Sequence, residues 1–484
     1  MGSIRFILDG AVIEVDEVEP TRTVLQYLRE DLRRAGSKEG CAEGDCGACT
    51  VVVAELDGDR LRYRAVNACI QFLPTLDGKA LFTVESLKSA DGALHPVQQS
   101  MVDHHGSQCG FCTPGFVMSM FALYLENRSP GRAEIDDALS GNLCRCTGYR
   151  PIVDACLHMH EYPAPDNDEQ QLIALLRALG RKQGLSLGHG QSRYHAPLTL
   201  DELAALYQQH PDARILAGGT DVGLWVTKQL RELPTIVYLG NVAELQRIEI
   251  GADAIEIGAA VTLTDAFAAL QPRYPELEEM FRRFASVPVR NAGTLVGNIA
   301  NGSPIGDSMP ALIAVDARVR LRRGQESREL ALEDLYVDYM QNALQPGEFV
   351  ESVVVPLPQA GTRLRCYKLA KRYDQDISAV CAAFALRVDG DEVIDVRIAL
   401  GGMAAIPKRA RQTEDYLRGE PWNEFTLVTA SQKLAADFAP LSDMRASADY
   451  RGRASANLLH RFYLETRSKE PLAPSEVSVF AVGE

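Results

Sequence analysis

The residues best suited to chemistry are cysteines, eight of which lie within the first 146 residues of this 484-residue chain, in two groups of four. The first group has the spacing Cys-x4-Cys-x2-Cys with a distant fourth member, and it consists of Cys41, Cys46, Cys49 and Cys69. That spacing is typical of a loop that wraps a plant-type 2Fe-2S cluster. Gly44 and Gly47 would permit positive φ angles and the close approach of backbone N–H groups to sulfur. A structural zinc site is the alternative, because four cysteines also suit tetrahedral Zn²⁺.

The second group combines a Cys-x2-Cys pair with a Cys-x-Cys pair, and it consists of Cys109, Cys112, Cys144 and Cys146. Taken alone, a Cys-x2-Cys pair indicates either zinc or a thiol redox pair. Following a ferredoxin-type site in the same chain, it predicts a second 2Fe-2S cluster, and two neighbouring clusters indicate an electron carrier. We expect the remaining cysteines to be core residues, with the last two lying singly in apolar surroundings: Cys156, Cys366 and Cys381.

The elements around the first group predict a small β-grasp domain over residues 1–77. Apolar residues alternate over 3–15 around Asp9-Gly10, which predicts a β-hairpin. Helical spacing follows over 21–33, and an apolar strand over 50–54 comes directly after the cysteine loop. Around the second group the pattern is helical, with one helix after Pro114 and another from Ile135. We therefore expect an all-α domain over 78–160.

The rest of the chain predicts a linker over 161–192, a mixed domain over 193–362 and an α+β domain over 363–475. In the last domain we expect strands near 379–388 and 393–400 and helices after 420. The fold class is thus multidomain α+β. A strand running into a Gly-rich turn, which could hold a pyrophosphate through exposed N–H groups, is formed by Ile215, Leu216, Ala217, Gly218, Gly219, Thr220 and Asp221. An ordinary turn is the alternative, and the spacing fits neither a Rossmann fingerprint nor a P-loop.

The bulk properties exclude some classes of function. A net charge of -15 and a pI near 5.2 argue against a nucleic-acid surface and against binding to an anionic membrane. The N-terminal apolar run is short and interrupted by Asp9, so we expect no signal peptide. We expect a cytoplasmic protein without a membrane span, in which reduced thiols are metal ligands rather than disulfides.

Four motifs give the chain a resemblance to a known family: Gly-Cys-Ala-Glu-Gly-Asp-Cys-Gly-Ala-Cys, Gln-Cys-Gly-Phe-Cys-Thr-Pro-Gly, Asn-Leu-Cys-Arg-Cys-Thr-Gly-Tyr and Asn-Ala-Gly-Thr-Leu-Val-Gly-Asn-Ile. From about residue 3 to about 475, it resembles the iron–sulfur and flavin portion of the xanthine oxidase family of molybdenum hydroxylases. The similarity is strongest to the small subunit of bacterial members. The resemblance implies a ferredoxin domain, a helical 2Fe-2S domain, a FAD domain of the vanillyl-alcohol-oxidase type and a C-terminal flavoprotein domain.

The same resemblance assigns individual residues. It implies FAD binding through Ile215 to Val222 and at Phe284, Thr294, Asn298, Asp307, Val350 and Lys368, with Phe284 stacked on the isoalloxazine. Gln108 would face the pterin of a molybdenum cofactor that is bound by a separate partner subunit. The loop 371–376 and Tyr339 match positions near a nicotinamide site. Tyr373 and Gln375 stand where single-chain relatives carry Arg and Asp, which leaves the details of NAD binding open.

The resemblance also implies a relay of electrons from a molybdenum centre that oxidises a purine, through two clusters and FAD, to NAD⁺. Because the chain ends at residue 484, we expect hydroxylation to occur on a large molybdopterin-binding subunit, in a heterotetramer of two small and two large subunits. We expect no catalytic acid–base residue in this chain that would match the one on the partner. Three alternatives remain: the same role in an aldehyde- or N-heterocycle-oxidising enzyme, a stand-alone NADH-dependent reductase, and a zinc-stabilised binding protein. O₂ also remains an alternative to NAD⁺ as the acceptor.

Overall fold

The computed structural model describes residues 2–89, 91–165 and 168–477. It divides the chain into two compact units. The first unit contains residues 1–246, 262–264 and 285–294, and the second contains residues 247–261, 265–284 and 295–484. Both cysteine groups lie in the first unit.

The first sheet of the first unit has five strands, whose spatial order is Ala11–Val15, Ile4–Leu8, Ala80–Phe82, Thr50–Asp57 and Arg60–Asn67. The predicted hairpin is confirmed, because the first two of these pair antiparallel from Ile4 opposite Val15 to Leu8 opposite Ala11. Asp9 and Gly10 form the turn with φ angles of 53° and 74°. A strand after the cysteine loop was also predicted correctly, although it continues to Asp57.

The helix predicted over 21–33 is shorter and less regular than expected. A capping box at Thr23 starts an α-helical turn over Val24–Gln26, which widens into a π-helix over Tyr27–Asp31. Leu28 is fully buried within this turn. The segment then ends because Arg33 adopts a left-handed conformation with φ of 56°, which an α-helix cannot contain.

The region of the second cysteine group is helical, as predicted, with helices Pro96–Asp103, Thr113–Glu126, Arg132–Leu139 and Arg150–His158. The second of these helices supplies a buried apolar face that includes Phe116, Met118 and Met120. Cys156 is fully buried in the same core, as predicted for a residue that is not a ligand.

The segment predicted as the linker 161–192 is largely structured. Helix Glu169–Leu179 buries Leu176 and Leu179 against Ile7 of the first sheet. The apolar residues of this helix recur at helical spacing and form one buried face, so the helix packs although the segment before it is polar. A four-stranded sheet follows, with the spatial order Leu185–His189, Ser192–Ala196, Thr235–Tyr238 and Arg214–Leu216. The remaining helices of the first unit are Leu200–Gln209, Val222–Thr227 and Val287–Ala292.

The second unit contains two larger sheets. One has the order Ile248–Ile250, Ala254–Gly258, Phe349–Pro356, Arg318–Arg323 and Glu326–Ala331, and the other has the order Arg363–Leu369, Val380–Asp389, Glu392–Gly401 and Lys408–Arg409. A short ribbon pairs Tyr336–Asp338 with Gln341–Asn342. The helices are Glu278–Arg283, Leu295–Asn301, Ser308–Ala314, Arg411–Leu417, Glu424–Asp437, Ala448–Thr466 and Pro474–Val477, and helix Leu263–Leu270 begins in the first unit. The predicted C-terminal strands and helices are therefore present.

Two cysteines of the second unit correct the prediction that they lie singly. The Sγ atoms of Cys366 and Cys381 are 3.9 Å apart. The antiparallel register sets Cys381 opposite Lys368, two residues from Cys366. The two thiols are therefore diagonal neighbours on the same face of the sheet, which residue spacing alone does not reveal.

No helix among the described residues is both long enough and apolar enough to cross a membrane.

We expect Phe462→Ala to destabilise the second unit strongly. Phe462 is fully buried and stacks on Phe384 with ring centroids 5.1 Å apart, so its removal should cost about 3–5 kcal/mol. The matched control is Phe425→Ala, because Phe425 is 86% exposed and its loss should change stability by less than about 0.5 kcal/mol. Urea unfolding of both variants followed by circular dichroism checks the ranking, and equal midpoints would contradict it.

Candidate functional site

The first cysteine group is assembled by a loop and a strand pair. Thr50 pairs with Asn67 at the ends of two antiparallel strands. Cys49 lies one residue and Cys69 two residues beyond this pair, so both are at the same edge of the sheet. The loop before Thr50 brings Cys41 and Cys46 back over that edge. Gly44 and Gly47 have φ angles of 80° and 69°, as the loop prediction requires.

The four thiols of this group contact one another and backbone donors. Hydrogen bonds with Cys46 and Cys69 hold the pKa of Cys41 well below its usual range, while contacts with Cys41 and Cys49 raise the pKa of Cys69. The backbone N–H groups of Glu43 and Cys46 each point at the Cys41 sulfur from 3.4 Å. Such donors stabilise a thiolate that binds metal.

The second cysteine group lies at helix ends. Cys112 directly precedes helix Thr113–Glu126, and the Cys144 N–H donates to the Tyr149 hydroxyl at 3.1 Å. Side-chain contacts join Cys109 to Cys146 and Cys112 to Cys144. Cys109 and Cys146 are exposed, whereas Cys144 is buried. Burial, together with the contact to Cys144, raises the pKa of Cys112 to about 12.

The contacts in the second group are pairwise. Among the described residues, no three or more His, Cys, Asp or Glu side chains converge on a single metal position. A cluster of two irons has a different requirement from that of a single ion, because the four thiolates are divided between the irons. The paired thiols of both groups could hold such clusters.

The two cysteine loops meet through their backbones. The Leu143 N–H donates to the Cys46 carbonyl at 3.1 Å, and the Asn142 side-chain amide donates to the Gly47 carbonyl at 3.1 Å. A Cβ atom at Gly47 would lie 2.2 Å from the Gly141 carbonyl oxygen. Sequence reasoning assigned Gly47 to its φ angle and to sulfur contacts, and it missed this close approach and the role of Asn142.

The Gly-rich segment 215–222 runs from strand Arg214–Leu216 into helix Val222–Thr227. Gly218 has no room for a side chain, since its Cβ would lie 1.7 Å from the Ala292 carbonyl oxygen. The following helix touches the first cysteine group: the Thr227 hydroxyl donates to the Ala42 carbonyl at 2.8 Å, and a Cβ at Gly223 would lie 2.7 Å from the Ile70 carbonyl oxygen. The turn and the cysteine loop are therefore neighbours in the first unit.

In the second unit, a buried ion pair forms between two residues that the resemblance assigns to FAD. The Lys368 ammonium donates to Asp307 Oδ2 at 2.5 Å and to the Ser378 hydroxyl at 2.8 Å. All three residues are buried. The other carboxylate oxygen, Asp307 Oδ1, is buried without a hydrogen-bond partner in the described part of the chain. An unsatisfied buried acceptor is costly, so the pair suits a ligand that donates a hydrogen bond.

The remaining residues assigned to FAD have defined surroundings. Asn298 accepts a hydrogen bond from the Ser308 hydroxyl at 2.6 Å, and Phe284 packs edge-on against Phe267 at 5.8 Å. Val350 is buried in strand Phe349–Pro356. In the first unit, Thr294 is buried and bridges to Thr262.

The loop 371–376 borders a cavity of about 300 Å³ in the second unit, lined by Lys371, Asp376, Ile377, Ala379, Met444 and Arg445. Tyr373 lies under the Arg283 guanidinium at 4.3 Å and accepts a hydrogen bond from it through its carbonyl. Sequence reasoning missed Arg283 and the segment around Met444, which no motif marks. Tyr339 and Gln108 are both exposed.

We expect Gly115→Ala to reduce cluster content. A Cβ at Gly115 would lie 2.1 Å from the Gly47 carbonyl oxygen, so the added methyl should force the two cysteine loops apart at a cost of about 1–3 kcal/mol. Gly452→Ala is the matched control, because this helical glycine has open space around its Cβ position and the substitution should stabilise by up to about 1 kcal/mol. Iron content and unfolding midpoint of purified variants check this. Full iron content in Gly115→Ala would contradict the packing argument.

Four family models match successive parts of the chain. A 2Fe-2S iron–sulfur cluster binding domain matches residues 6–73, and a 2Fe-2S binding domain matches residues 83–157. The FAD binding domain in molybdopterin dehydrogenase matches residues 190–358, and the CO dehydrogenase flavoprotein C-terminal domain matches residues 365–466. These matches confirm the multidomain α+β fold class.

The chain is similar to xanthine dehydrogenases. It is 31% identical to the xanthine dehydrogenase of Emericella nidulans over 100% of this chain and 40% of that protein, and 32% identical to that of Drosophila subobscura over 96% and 39%. The chain thus spans about 40% of the length of these curated relatives.

Solved structures show the same likeness in part of the chain. A carbon monoxide dehydrogenase from Hydrogenophaga pseudoflava matches with a TM-score of 0.53 at 28% identity, covering 55% of this chain and 94% of that chain. Quinoline 2-oxidoreductase from Pseudomonas putida 86 matches with a TM-score of 0.52 at 27% identity, covering 58% and 98%. The four domains of the chain therefore match the iron–sulfur and FAD part of the xanthine oxidase family of molybdenum hydroxylases.

Proposed function

We propose that this protein is the electron-transfer subunit of a xanthine dehydrogenase. In this role it takes electrons from a molybdenum centre on a partner subunit, where xanthine or hypoxanthine is oxidised towards urate, and delivers them to NAD⁺. The 2Fe-2S clusters supply one-electron transfer, and FAD couples it to the two-electron chemistry of the acceptor. The chain's own residues hold, space and insulate these groups.

One observation carries the proposal: the order of the candidate sites within the first unit. The second cysteine group contacts the first through the Leu143 N–H and the Cys46 carbonyl. The first group in turn contacts the helix that follows the Gly-rich turn, through Ala42 and Thr227. An electron entering at the exposed Cys109 end would therefore meet two clusters before a flavin.

The cysteines fit the proposed clusters. We assign the ligands of the cluster nearer the turn to Cys41, Cys46, Cys49 and Cys69, and those of the other cluster to Cys109, Cys112, Cys144 and Cys146. The N–H groups directed at Cys41 and the Asn67 amide, 4.0 Å from the Cys49 sulfur, would stabilise negative charge on the sulfurs. Such donors raise the reduction potential of a bound cluster.

We propose the FAD contacts that the resemblance implies, which are Ile215 to Val222, Phe284, Thr294, Asn298, Asp307, Val350 and Lys368. The unpartnered Asp307 Oδ1 would accept a hydrogen bond from the cofactor, while Lys368 pairs with the other oxygen of the same carboxylate. The Gly-rich turn suits a pyrophosphate because its backbone can approach closely.

Exposed residues and a cavity support the proposed positions of the NAD⁺ site and of the surface that meets the partner subunit. The cavity beside Lys371 and Asp376 and the exposed Tyr339 are the proposed surroundings of NAD⁺. Gln108, Cys109 and Phe111 are exposed together beside the second cysteine group, which supports a partner that brings the pterin of its molybdenum cofactor to this end. We propose a heterotetramer of two small and two large subunits.

A second candidate function is the same role in a hydroxylase of aldehydes or N-heterocycles. The likeness to quinoline 2-oxidoreductase favours this candidate, since that protein is named for an N-heterocycle. The complex purified with its partner decides between the two candidates: reduction of NAD⁺ by xanthine supports the first, whereas activity on quinoline or an aldehyde without activity on xanthine supports the second.

Metal and flavin analysis of the purified chain tests the proposal directly. We expect about four irons and one FAD per chain, with two distinct S = ½ EPR signals after dithionite reduction. Zinc in place of iron, or a single signal, would contradict the two-cluster relay. Purification from the native source without a large partner subunit would instead support the stand-alone reductase.

We expect Lys368→Met to lose FAD. The substitution leaves the Asp307 carboxylate buried and unpaired, and breaking a buried ion pair in this way costs about 3–5 kcal/mol. Lys408→Met is the control, because Lys408 donates to the Asp437 carbonyl elsewhere in the second unit and has no proposed role in cofactor binding. Flavin released by heat and quantified by fluorescence checks the ranking. Equal FAD content in the two variants would remove Lys368 from the proposed site.

A further inference from the structure

The cysteine loops of the first unit meet at a contact made of three glycines and one asparagine, which we call the glycine seam: Gly47, Gly115, Gly141 and Asn142. A Cβ at Gly115 would lie 2.1 Å from the Gly47 carbonyl oxygen, and a Cβ at Gly47 would lie 2.2 Å from the Gly141 carbonyl oxygen. Backbone therefore lies directly on backbone at the seam. A side chain at Gly47 or Gly115 would separate the two loops, whereas a Cβ at Gly141 would meet Ser286 and Pro288.

Asn142 is the side chain that hydrogen-bonds to both sides of the glycine seam. It is 2% exposed. Its Nδ2 group donates to the Gly47 carbonyl at 3.1 Å and to the Thr50 hydroxyl at 3.3 Å. Its Oδ1 atom accepts from the Ser119 hydroxyl at 2.6 Å. One side chain thus ties the loop of the first cysteine group to the helix that follows Cys112.

The glycine seam also shortens the through-bond route that an electron could take between the two cysteine groups. The Leu143 N–H donates to the Cys46 carbonyl at 3.1 Å. Cys46 belongs to the first group, and Leu143 directly precedes Cys144 of the second. Only one hydrogen bond therefore interrupts the chain of covalent bonds from one cysteine to the other. Electron tunnelling falls off less steeply through bonds and short hydrogen bonds than across van der Waals gaps.

We propose that Asn142 is a positioning residue for electron transfer between the two clusters, because it holds the Cys46 carbonyl on the Leu143 N–H. This inference rests on the proposed function. In the step concerned, one ferrous iron bound by the second cysteine group becomes ferric, and one ferric iron bound by the first group becomes ferrous. No bond is made or broken and no proton need move. The rate of the step is then set by the route and not by chemistry at Asn142 itself.

The test compares Asn142→Ala with Ser100→Ala in the full chain. Ser100 is fully buried in the same helical region and donates to the Ala155 carbonyl at 2.6 Å, so its variant also loses a buried hydrogen bond but leaves the glycine seam intact. One electron is injected by pulse radiolysis, and its redistribution between the clusters is followed by absorbance and freeze-quench EPR. We expect Asn142→Ala to slow this redistribution by about tenfold, which is the lower end of the loss in activity that follows replacement of outer-shell residues at metal sites.

We also expect Asn142→Ala to weaken the magnetic interaction between the two reduced clusters while each keeps its own g values. An unchanged rate in Asn142→Ala, or an equal slowing in Ser100→Ala, would overturn the proposal. If Asn142→Ala does not retain four irons, the same measurement is made on Ser119→Ala. This variant removes only the hydrogen bond from the Ser119 hydroxyl to Asn142 Oδ1. Slowing in that variant supports the role of Asn142, and an unchanged rate overturns it.

The parent protein separates this inference from the proposed function. Absence of two EPR signals in the parent would defeat the proposed function itself. Two signals in the parent, with unaltered transfer in the variants, would defeat only the role of Asn142.

Discussion

The structure of the first unit depends on the close approach of backbone to backbone between the two cysteine loops. Only glycine allows the carbonyl of one loop to lie where a Cβ atom would otherwise be, as at Gly47 and Gly115. The approach brings strong dipoles out of water, and each must find a partner. Asn142 and the Leu143 N–H supply those partners. Sterics and hydrogen bonding therefore act together, since neither the glycines nor the asparagine would fix the contact alone.

In the second unit, the corresponding constraint is the pairing of buried charges. Lys368 and Asp307 are paired out of contact with solvent, and the buried Arg409 bridges Glu333 and Glu414. Burial raises the pKa of Glu414 despite the nearby guanidinium. Removing ions from water is expensive, so such pairs persist where their geometry is closely complementary. In the Lys368 pair one acceptor oxygen is left over, which distinguishes it from the Arg409 network, whose arginine has acceptors on both sides.

The sequence contained most of what defines the elements and the candidate ligands. Alternation around Asp9-Gly10 predicted the first hairpin, and the Cys-x4-Cys-x2-Cys spacing predicted the loop that the structure folds around Cys41. Local patterns could not reveal contacts between distant segments. The pairing of Cys366 with Cys381 depends on strand register, and the packing of Gly115 against Gly47 joins residues 68 positions apart. The π-helical end of the first helix was also missed, because apolar spacing does not distinguish a widened turn from a regular one.

The core of the first sheet extends beyond the segment that carries its cysteines. Leu187, Tyr194 and Ile236 of the four-stranded sheet lie in one continuous hydrophobic cluster with Phe6 and Leu28. Residues that share a core exchange their amide hydrogens through the same opening events. The iron–sulfur portion and the neighbouring sheet should then behave as one cooperative foldon, whose amides gain protection together. A fragment cut at residue 77 would lose Leu187, Tyr194 and Ile236 from that core and expose the residues that pack against them. The boundaries of the functional domains therefore differ from the boundaries of the folding unit.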